Sequence, residues 1–389
     1  MSGERHVLQI ERPVIVVRSF AATAGGRTFA ALACLGLLAG CAGTVATPES
    51  HYAREDFATV RKFDAHVHAN VAAPEILDLA RADGFELLSI NVDYPDFPSL
   101  AEQQAAALAL QRLDPVRLHF ATTFSMAGWG QPGWAARVNR QIDTAVAQGA
   151  VAVKVWKNIG MDVRGADDRL VMIDDPGFDP VLAHVQALGL PLIGHQGEPY
   201  NCWLPLERMT TGNDRSYFRE HPQYHMYLHP ELPSYEEQMA ARDRMLERHR
   251  GLRFIGAHMA SLEWDVDRLG AFLDAHPGAV IDLAARMTQV QYQSHRDRER
   301  VRGFFIRYQD RILYGSDLTF APDVDAATFR TEAHAAWASD WAYLATDEVQ
   351  HVEDIDADVV GLQLPRAVID RIYYGNAQRV LLDRRTAGH

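Results

Sequence analysis

The sequence has no apolar run long enough to cross a bilayer as a mature helix, which takes about 20 residues. The stretch over 29–38 is the nearest approach to one, and it stops well short. Cysteine is almost absent, with three in 389 residues, which excludes a disulfide framework as the source of stability. No run of Lys and Arg and no stacked aromatic motif occurs, and the formal net charge is -13. An acidic chain without such a footprint excludes nucleic acid as a partner. There is no low-complexity tract. What is present is a composition 48% hydrophobic and 23% charged, that of a globular protein with ample core.

The amino terminus carries an address. Arg18 and Arg27 precede the apolar run over 29–38, which ends in Leu38-Ala39-Gly40-Cys41. A basic flank, an apolar core and this box, in that order, resemble a bacterial lipoprotein signal. That resemblance implies a signal over 1–40, a lipid on Cys41, and a tether over 41–58 leading to a domain over 59–384. It also implies a place at the cell envelope, periplasm or outer surface, with the membrane reached through the lipid. Cys34 would leave with the signal, so Cys202 would stand alone.

From residue 61 onward, short apolar runs alternate with amphipathic stretches through eight cycles. Strands are predicted over 62–68, 85–92, 117–124, 151–157, 190–195, 253–258, 279–285 and 312–317. Helices between them are announced by the capping boxes Ser99-Leu-Ala-Glu102 and Ser234-Tyr-Glu-Glu237 and closed by Gly149, Gly189 and Gly251. Strands alternating with helices over this length indicate an α/β protein of parallel βαβ units, and eight of them suggest closure. The expected fold is a single-domain (β/α)₈ TIM barrel with long loops after strands 5 and 8, at 199–233 and 318–364. A doubly wound open sheet is the alternative, weakened because no glycine-rich phosphate fingerprint follows the first strand.

The strand ends carry the chemistry. Asp64-Ala-His-Val-His68 closes the first predicted strand, and residues two apart on a strand share a face. His66 and His68 can therefore turn ring nitrogens toward one divalent ion. With 17 histidines in the chain the pair alone decides little. The fifth strand, however, ends in Gly194-His195, the sixth in Gly256-Ala-His258 and the eighth in Tyr314-Gly-Ser-Asp317. A parallel barrel presents its carboxyl ends to one cavity, so these residues would converge.

Together with the closing Tyr374-Gly-Asn-Ala-Gln-Arg-Val-Leu381, these motifs resemble the amidohydrolase superfamily of metal-dependent barrels, and within it the amidohydrolase-2 group, over roughly 60–382. The resemblance implies a metal held by His66, His68, His195 and Asp317. This nitrogen and oxygen set suits one zinc ion, with manganese possible. It implies a water made acidic by the metal, Asp317 as general base and then general acid, and His258 orienting the water or polarising a carbonyl.

Lys154, in Val-Lys-Val on the fourth strand, leaves three readings open: a carboxylated bridge between two metals, a substrate ligand, or a strand-base lysine paired with an acid such as Asp64. Arg286 at the end of the seventh strand could grip a substrate carboxylate. Glu198 could bond substrate or a ligand histidine. Trp156 and Trp203 stand close enough to strand ends to be pocket walls, while Cys202 reads as a small buried apolar residue. The function expected is hydrolysis of a C–N or C–O bond in a small carboxylate-bearing or aromatic substrate. Non-oxidative decarboxylation is the alternative, and a non-catalytic ligand-binding lipoprotein a third reading.

Overall fold

The computed structural model describes residues 50–383, so the signal and Cys41 lie outside the described residues. Nine strand segments form one parallel sheet: β1 (Lys62–Ala69), β2 (Phe85–Ile90), β3 (Leu118–Thr123), β4 (Ala152–Val155), β5 (Pro191–Gly194), β6 (Arg253–Gly256), β7 (Ala279–Asp282), β8 (Ile312–Leu313) and β9 (Leu318–Phe320). Each of β1 to β8 pairs with its neighbour in sequence, except that β1 pairs with β9 rather than β8. β8 and β9 are two pieces of one stave, interrupted at 314–317. Across the interruption Ala65 N donates to Tyr314 O at 2.9 Å and Asp317 N to His66 O at 2.8 Å. The eight staves thus close into the barrel that the alternation predicts.

Inside it, Phe63, Leu88, Ile90, Ala121, Ala152, Ile193, Ile255, Val280 and Leu313 form one buried cluster, completed by Ala377, Val380 and Leu381 from the carboxyl-terminal segment. Their neighbours on alternate positions, among them Val67, Leu87, Val153, Leu192, Phe254 and Ile281, pack outward against the helices. This is the two-sided burial of a parallel sheet. β1 departs from simple alternation. Phe63 and Ala65 belong to the inner cluster and Val67 and Ala69 to the outer one, and the register with β2 shifts between Asp64 and Val67. That irregularity flips the phase, so the strand turns His66 and His68 inward at its end, a common use of a bulge beside a functional site.

Two expectations need correction. The stretch after the eighth stave is not simply a long loop: it contains the 20-residue helix Ala326–Ala345, whose Phe329, Ala333, Trp337 and Trp341 recur every four residues and are buried. This stripe seals the barrel wall. Beyond it, β10 (Val349–Val352) and β11 (Ala357–Val360) form a hairpin across most of 347–358, a stretch rich in Asp and Glu. The hairpin is tied to the domain: Asp354 accepts a hydrogen bond from Asn213 N at the start of the helix Gly212–Glu220. The excursion after β5 thereby docks on the excursion after β8. Residues 50–58, the end of the expected tether, lie against the domain: Phe57 is buried, and Tyr52 Oη donates to Asp370 at 2.7 Å. Among the described residues no helix is long and apolar enough to cross a membrane.

Candidate metal centre

At the carboxyl end of β1, His66 Nε2 and His68 Nε2 each lie 3.3 Å from Asp317 Oδ1. The other ring nitrogens are tied back. His66 Nδ1 donates to Asp282 Oδ2 at 2.8 Å and His68 Nδ1 to Ile90 O at 2.8 Å. Each bond fixes the tautomer that leaves Nε2 with its lone pair toward Asp317. The ligating atoms of His66, His68 and Asp317 all fall within 4.8 Å of one another. Burial lowers the His66 pKa, helped by the Lys154 charge, and so favours the neutral imidazole that a metal requires. Burial by itself would raise Asp317, but the surrounding His258, His66 and His68 hold its carboxyl well below the usual range.

His195 does not join this three-residue group. Its Nε2 is buried without a hydrogen-bond partner, and its ring packs on His258 with centroids 4.2 Å apart. His258 in turn lies 4.8 Å from the His66 ring and donates from Nδ1 to Ala284 O at 2.9 Å, so it stands between the two expected ligands. Burial holds both His195 and His258 well below the ordinary histidine value. Asp317 Oδ1 and His195 Nε2 are the unsatisfied buried atoms of the cluster. Buried polar atoms without partners are costly, and a cation shared by these donors would meet that need.

Lys154 is fully buried, with Nζ 3.4 Å from His66 Nε2, so it sits at the centre itself and is not the strand-base partner of Asp64. Burial pushes its pKa down to about 8, which leaves a share of neutral amine near neutral pH. The chain has three lysines, Lys62, Lys154 and Lys157, and all are buried. Lys157 forms a buried ion pair with Glu198, which therefore bonds a lysine and not a ligand histidine. Arg286 is also buried, not at the surface, with Nη1 on Ala285 O at 2.8 Å. Its charge reaches His195 and His258. Trp156 is buried against Tyr94 with its Nε1 unpartnered, as a pocket wall would be. Trp203 instead packs on Tyr235, and Cys202 lies in a small core with Phe218, Tyr224 and Met226, as its size suggests.

Asp282 is the residue that the strand-end reading passes over. Fully buried on β7, it bonds His66 Nδ1 with one oxygen, and its other oxygen accepts from His258 N at 2.7 Å and Ala284 N at 3.2 Å. An acid inside the apolar run of β7 was the available signal. The strand ends also carry backbone strain. His258, Met259, Ala260 and Ser261 are four successive residues in the left-handed region, with φ from 55° to 57°, and Ala285 and Asp317 have φ of 53° and 70°. Each such residue costs roughly 1–2 kcal/mol, so the turn over 258–261 persists only if its surroundings over-determine it. Arg242 Nη1 donates to Ala260 O, Tyr235 Oη to Ser261 O, and Ser261 Oγ to Gln196 O at 2.7 Å. Gly256 gives the room: a Cβ there would meet Ala260 Cβ at 2.5 Å.

The amidohydrolase-2 family model, described as amidohydrolase, matches residues 42–382. No curated protein matches the chain. Among solved structures it is similar to 2,6-dihydroxybenzoate decarboxylase from Rhizobium, at 14% identity over 82% of this chain and 98% of that one, with a TM-score of 0.48. A putative 2-pyrone-4,6-dicarboxylic acid hydrolase from Pseudomonas putida is similar at 11% identity, 82% and 97% coverage and a TM-score of 0.44. An amidohydrolase from Burkholderia multivorans with bound zinc is similar at 14% identity, 83% and 99% coverage and a TM-score of 0.42.

Asp282→Asn keeps the shape but weakens the acceptor behind His66, and outer partners of this kind typically matter by about 10–100-fold in metal affinity. Zinc competition against a chromogenic chelator is expected to show a loss in that range. Affinity equal to the parent's would contradict the orienting role.

Proposed function

The chain belongs to the amidohydrolase-2 family, and from that membership we propose that it is a metal-dependent hydrolase of a C–N or C–O bond, in an amide, lactone or ester of a small carboxylate-bearing or aromatic compound. The observation that carries the reading is the pair of histidine Nε2 atoms 3.3 Å from one Asp317 oxygen, each ring held from behind. His66, His68 and Asp317 would hold one divalent ion, zinc by preference for such a set, with manganese or a second ion as the variants; His195 is the fourth ligand in this reading. When bound, the ion supplies Lewis acidity, which brings the pKa of a water toward about 7.

The remaining steps belong to the side chains. Asp317, ionised and partly exposed at the centre, accepts a proton from the attacking water and returns it to the departing nitrogen or oxygen. His258, fixed through Nδ1, presents Nε2 to orient the water or the substrate carbonyl. Arg286 holds a carboxylate on the substrate, and Trp156 bounds the apolar side. Lys154, close to His66, either touches substrate or, carboxylated, bridges to a second ion. The same fold and metal serve a decarboxylase if His258 delivers a proton to carbon instead. We further propose a lipid on Cys41 and a place at the cell envelope, on the strength of Leu38-Ala39-Gly40-Cys41 behind an apolar run and two arginines.

The metal-loaded domain, screened on esters, lactones, amides and aromatic acids, is expected to consume water with acid release and without CO₂. Asp317→Asn should lower kcat by about 10²-fold or more, as loss of a general base does. CO₂ release from an aromatic acid would overturn the hydrolase in favour of the lyase. For the anchor, full-length protein expressed in a bacterium with an alkyne-labelled fatty acid should carry label in the membrane fraction, and Cys41→Ser should carry none; equal labelling of both would contradict it.

A further inference from the structure

The metal centre occupies the carboxyl end of the barrel, and the opposite end, its base, has features that the mechanism leaves unused. Residues 50–61 are fastened there. Lys62, the first residue of β1, is fully buried, and its Nζ donates to Phe57 O and to Val60 O at 2.7 Å. Trp341 Nε1 donates to Ala53 O at 3.1 Å, and Arg366 N to Ser50 O at 2.9 Å. Tyr52 bonds Asp370, whose neighbour Arg371 pairs at 3.0 Å with Asp310, just before β8. The chain is thus held at the base from Ser50 onward. Cys41 stands nine residues before Ser50, a span of at most about 30 Å. The eight residues of β1 alone rise about 26 Å, so the reach is comparable to the height of the barrel. A lipid on Cys41 keeps the base close to a bilayer.

The surface chemistry of the base suits such a neighbour. Leu113 and Val116, in the link from the helix Leu100–Leu113 to β3, are exposed by 62% and 65%, and Leu188, just before β5, by 37%. Arginines stand beside them. Arg112 is exposed next to Leu113, and Arg253 Nη1 donates to Gly189 O at 2.9 Å, next to Leu188. Arg311 bonds Ala279 O and, at 2.7 Å, His276 O, while Arg379 bonds Asp310 O and, at 3.2 Å, Asn376 Oδ1. These are carbonyl partners, which leave the positive charge in place. Burial lowers the Arg311 pKa and the Arg379 charge lowers it further, as two cations side by side require. The carboxylates of the base are committed to other arginines: Asp310 to Arg371, Glu86 to Arg61 at 2.7 Å, and Asp114 to Arg81 and Arg117 at 3.1 and 3.5 Å. Apolar side chains among arginines fit the boundary between lipid head groups and water.

We propose that the base of the barrel is a docking face for the phospholipid surface that carries the lipid of Cys41: Arg112, Arg311 and Arg379 meet lipid phosphates, Leu113, Val116 and Leu188 sit among the head groups, and the metal centre opens to water on the far side. This rests on the reading of Cys41 as lipidated and goes beyond it, because a flexible tether alone would leave the domain in any orientation. The consequence for function is direct. A water-soluble substrate reaches His66, His68 and Asp317 freely, while a lipid of the same membrane does not.

The test uses the mature lipidated protein reconstituted into vesicles of phosphatidylethanolamine and phosphatidylglycerol. A bimane label is placed at Val116→Cys on the base or, as the control, at Tyr227→Cys, half exposed on the excursion after β5; Cys202 is buried and does not take it. Lipid spin-labelled at the head group should quench the label at 116 and leave the label at 227 as bright as in solution. Arg379→Glu, which reverses an exposed charge, should lower the ratio of docked to undocked protein about 25-fold, about fivefold for each unit of charge near an anionic surface, and so release the quenching. Vesicles of phosphatidylcholine alone should release it in the unsubstituted background, a readout that no misfolded variant can imitate. Equal quenching at both positions, stronger quenching at 227, or quenching at 116 indifferent both to Arg379→Glu and to the lipid overturns the proposal. Intact mass separates the reading beneath it: a mature chain without lipid sinks the anchor and the orientation together, whereas a lipidated chain quenched at 227 sinks the orientation alone.

Discussion

The buried carboxyl of Asp64 is the interaction on which the rest of the site depends. It accepts from Ser316 N at 3.0 Å, from Ser316 Oγ, from Trp337 Nε1 at 2.9 Å and from His66 N at 3.1 Å. One side chain thus ties the first stave to the interrupted eighth stave and to the helix outside it. The interruption is what lets Asp317 leave the sheet and turn back toward His66 and His68. Burial alone raises the Asp64 carboxyl to about 6 even against these four donors, a measure of how completely water is excluded there. Asp282 plays the matching part on the other side, bonding His66 and His258 from β7. Two acids set back from the centre position its imidazoles.

Strain concentrates where function is expected. The strand ends at His258, Ala285 and Asp317 all use the left-handed backbone, without glycine at any of them. A relaxed chain would continue as a strand or a right-handed turn and carry these side chains elsewhere. The cost is met by buried partners: Arg242 and Tyr235 bond the carbonyls of Ala260 and Ser261, and Ser261 Oγ ties the turn itself to Gln196 O beside His195. Stability of the barrel and geometry of the site are therefore linked through residues distant from the chemistry.

Much of this was legible in the sequence, and the exceptions have physical causes. The eight staves stood out because β-branched and apolar runs, each bounded by a cap or glycine, repeat with helical stretches between them. His66, His68 and Asp317 stood out because each is a polar residue closing such a run. The phase flip in β1 was invisible, since a bulge alters pairing without altering composition. The helix Ala326–Ala345 was legible from its four-residue aromatic stripe but was masked by alanines that give it no polar face to contrast. Asp282 was passed over because an acid inside an apolar stretch says nothing of its partners until the staves are closed. His195, expected beside the other ligands, lies outside their group and packs on His258 with its Nε2 unpartnered. The signal over 1–40 and Cys41 belong to sequence reasoning alone.

The central claim is that His66, His68 and Asp317 hold a divalent ion. The most direct measurement is elemental analysis of the domain beginning after Cys41, purified without added metal, reconstituted with zinc and compared with Asp317→Ala treated identically. The account predicts one ion per chain in the parent and depletion in the variant; two per chain would promote Lys154 to a bridging carboxylated ligand. No bound ion in the reconstituted parent, or equal content in Asp317→Ala, would contradict it.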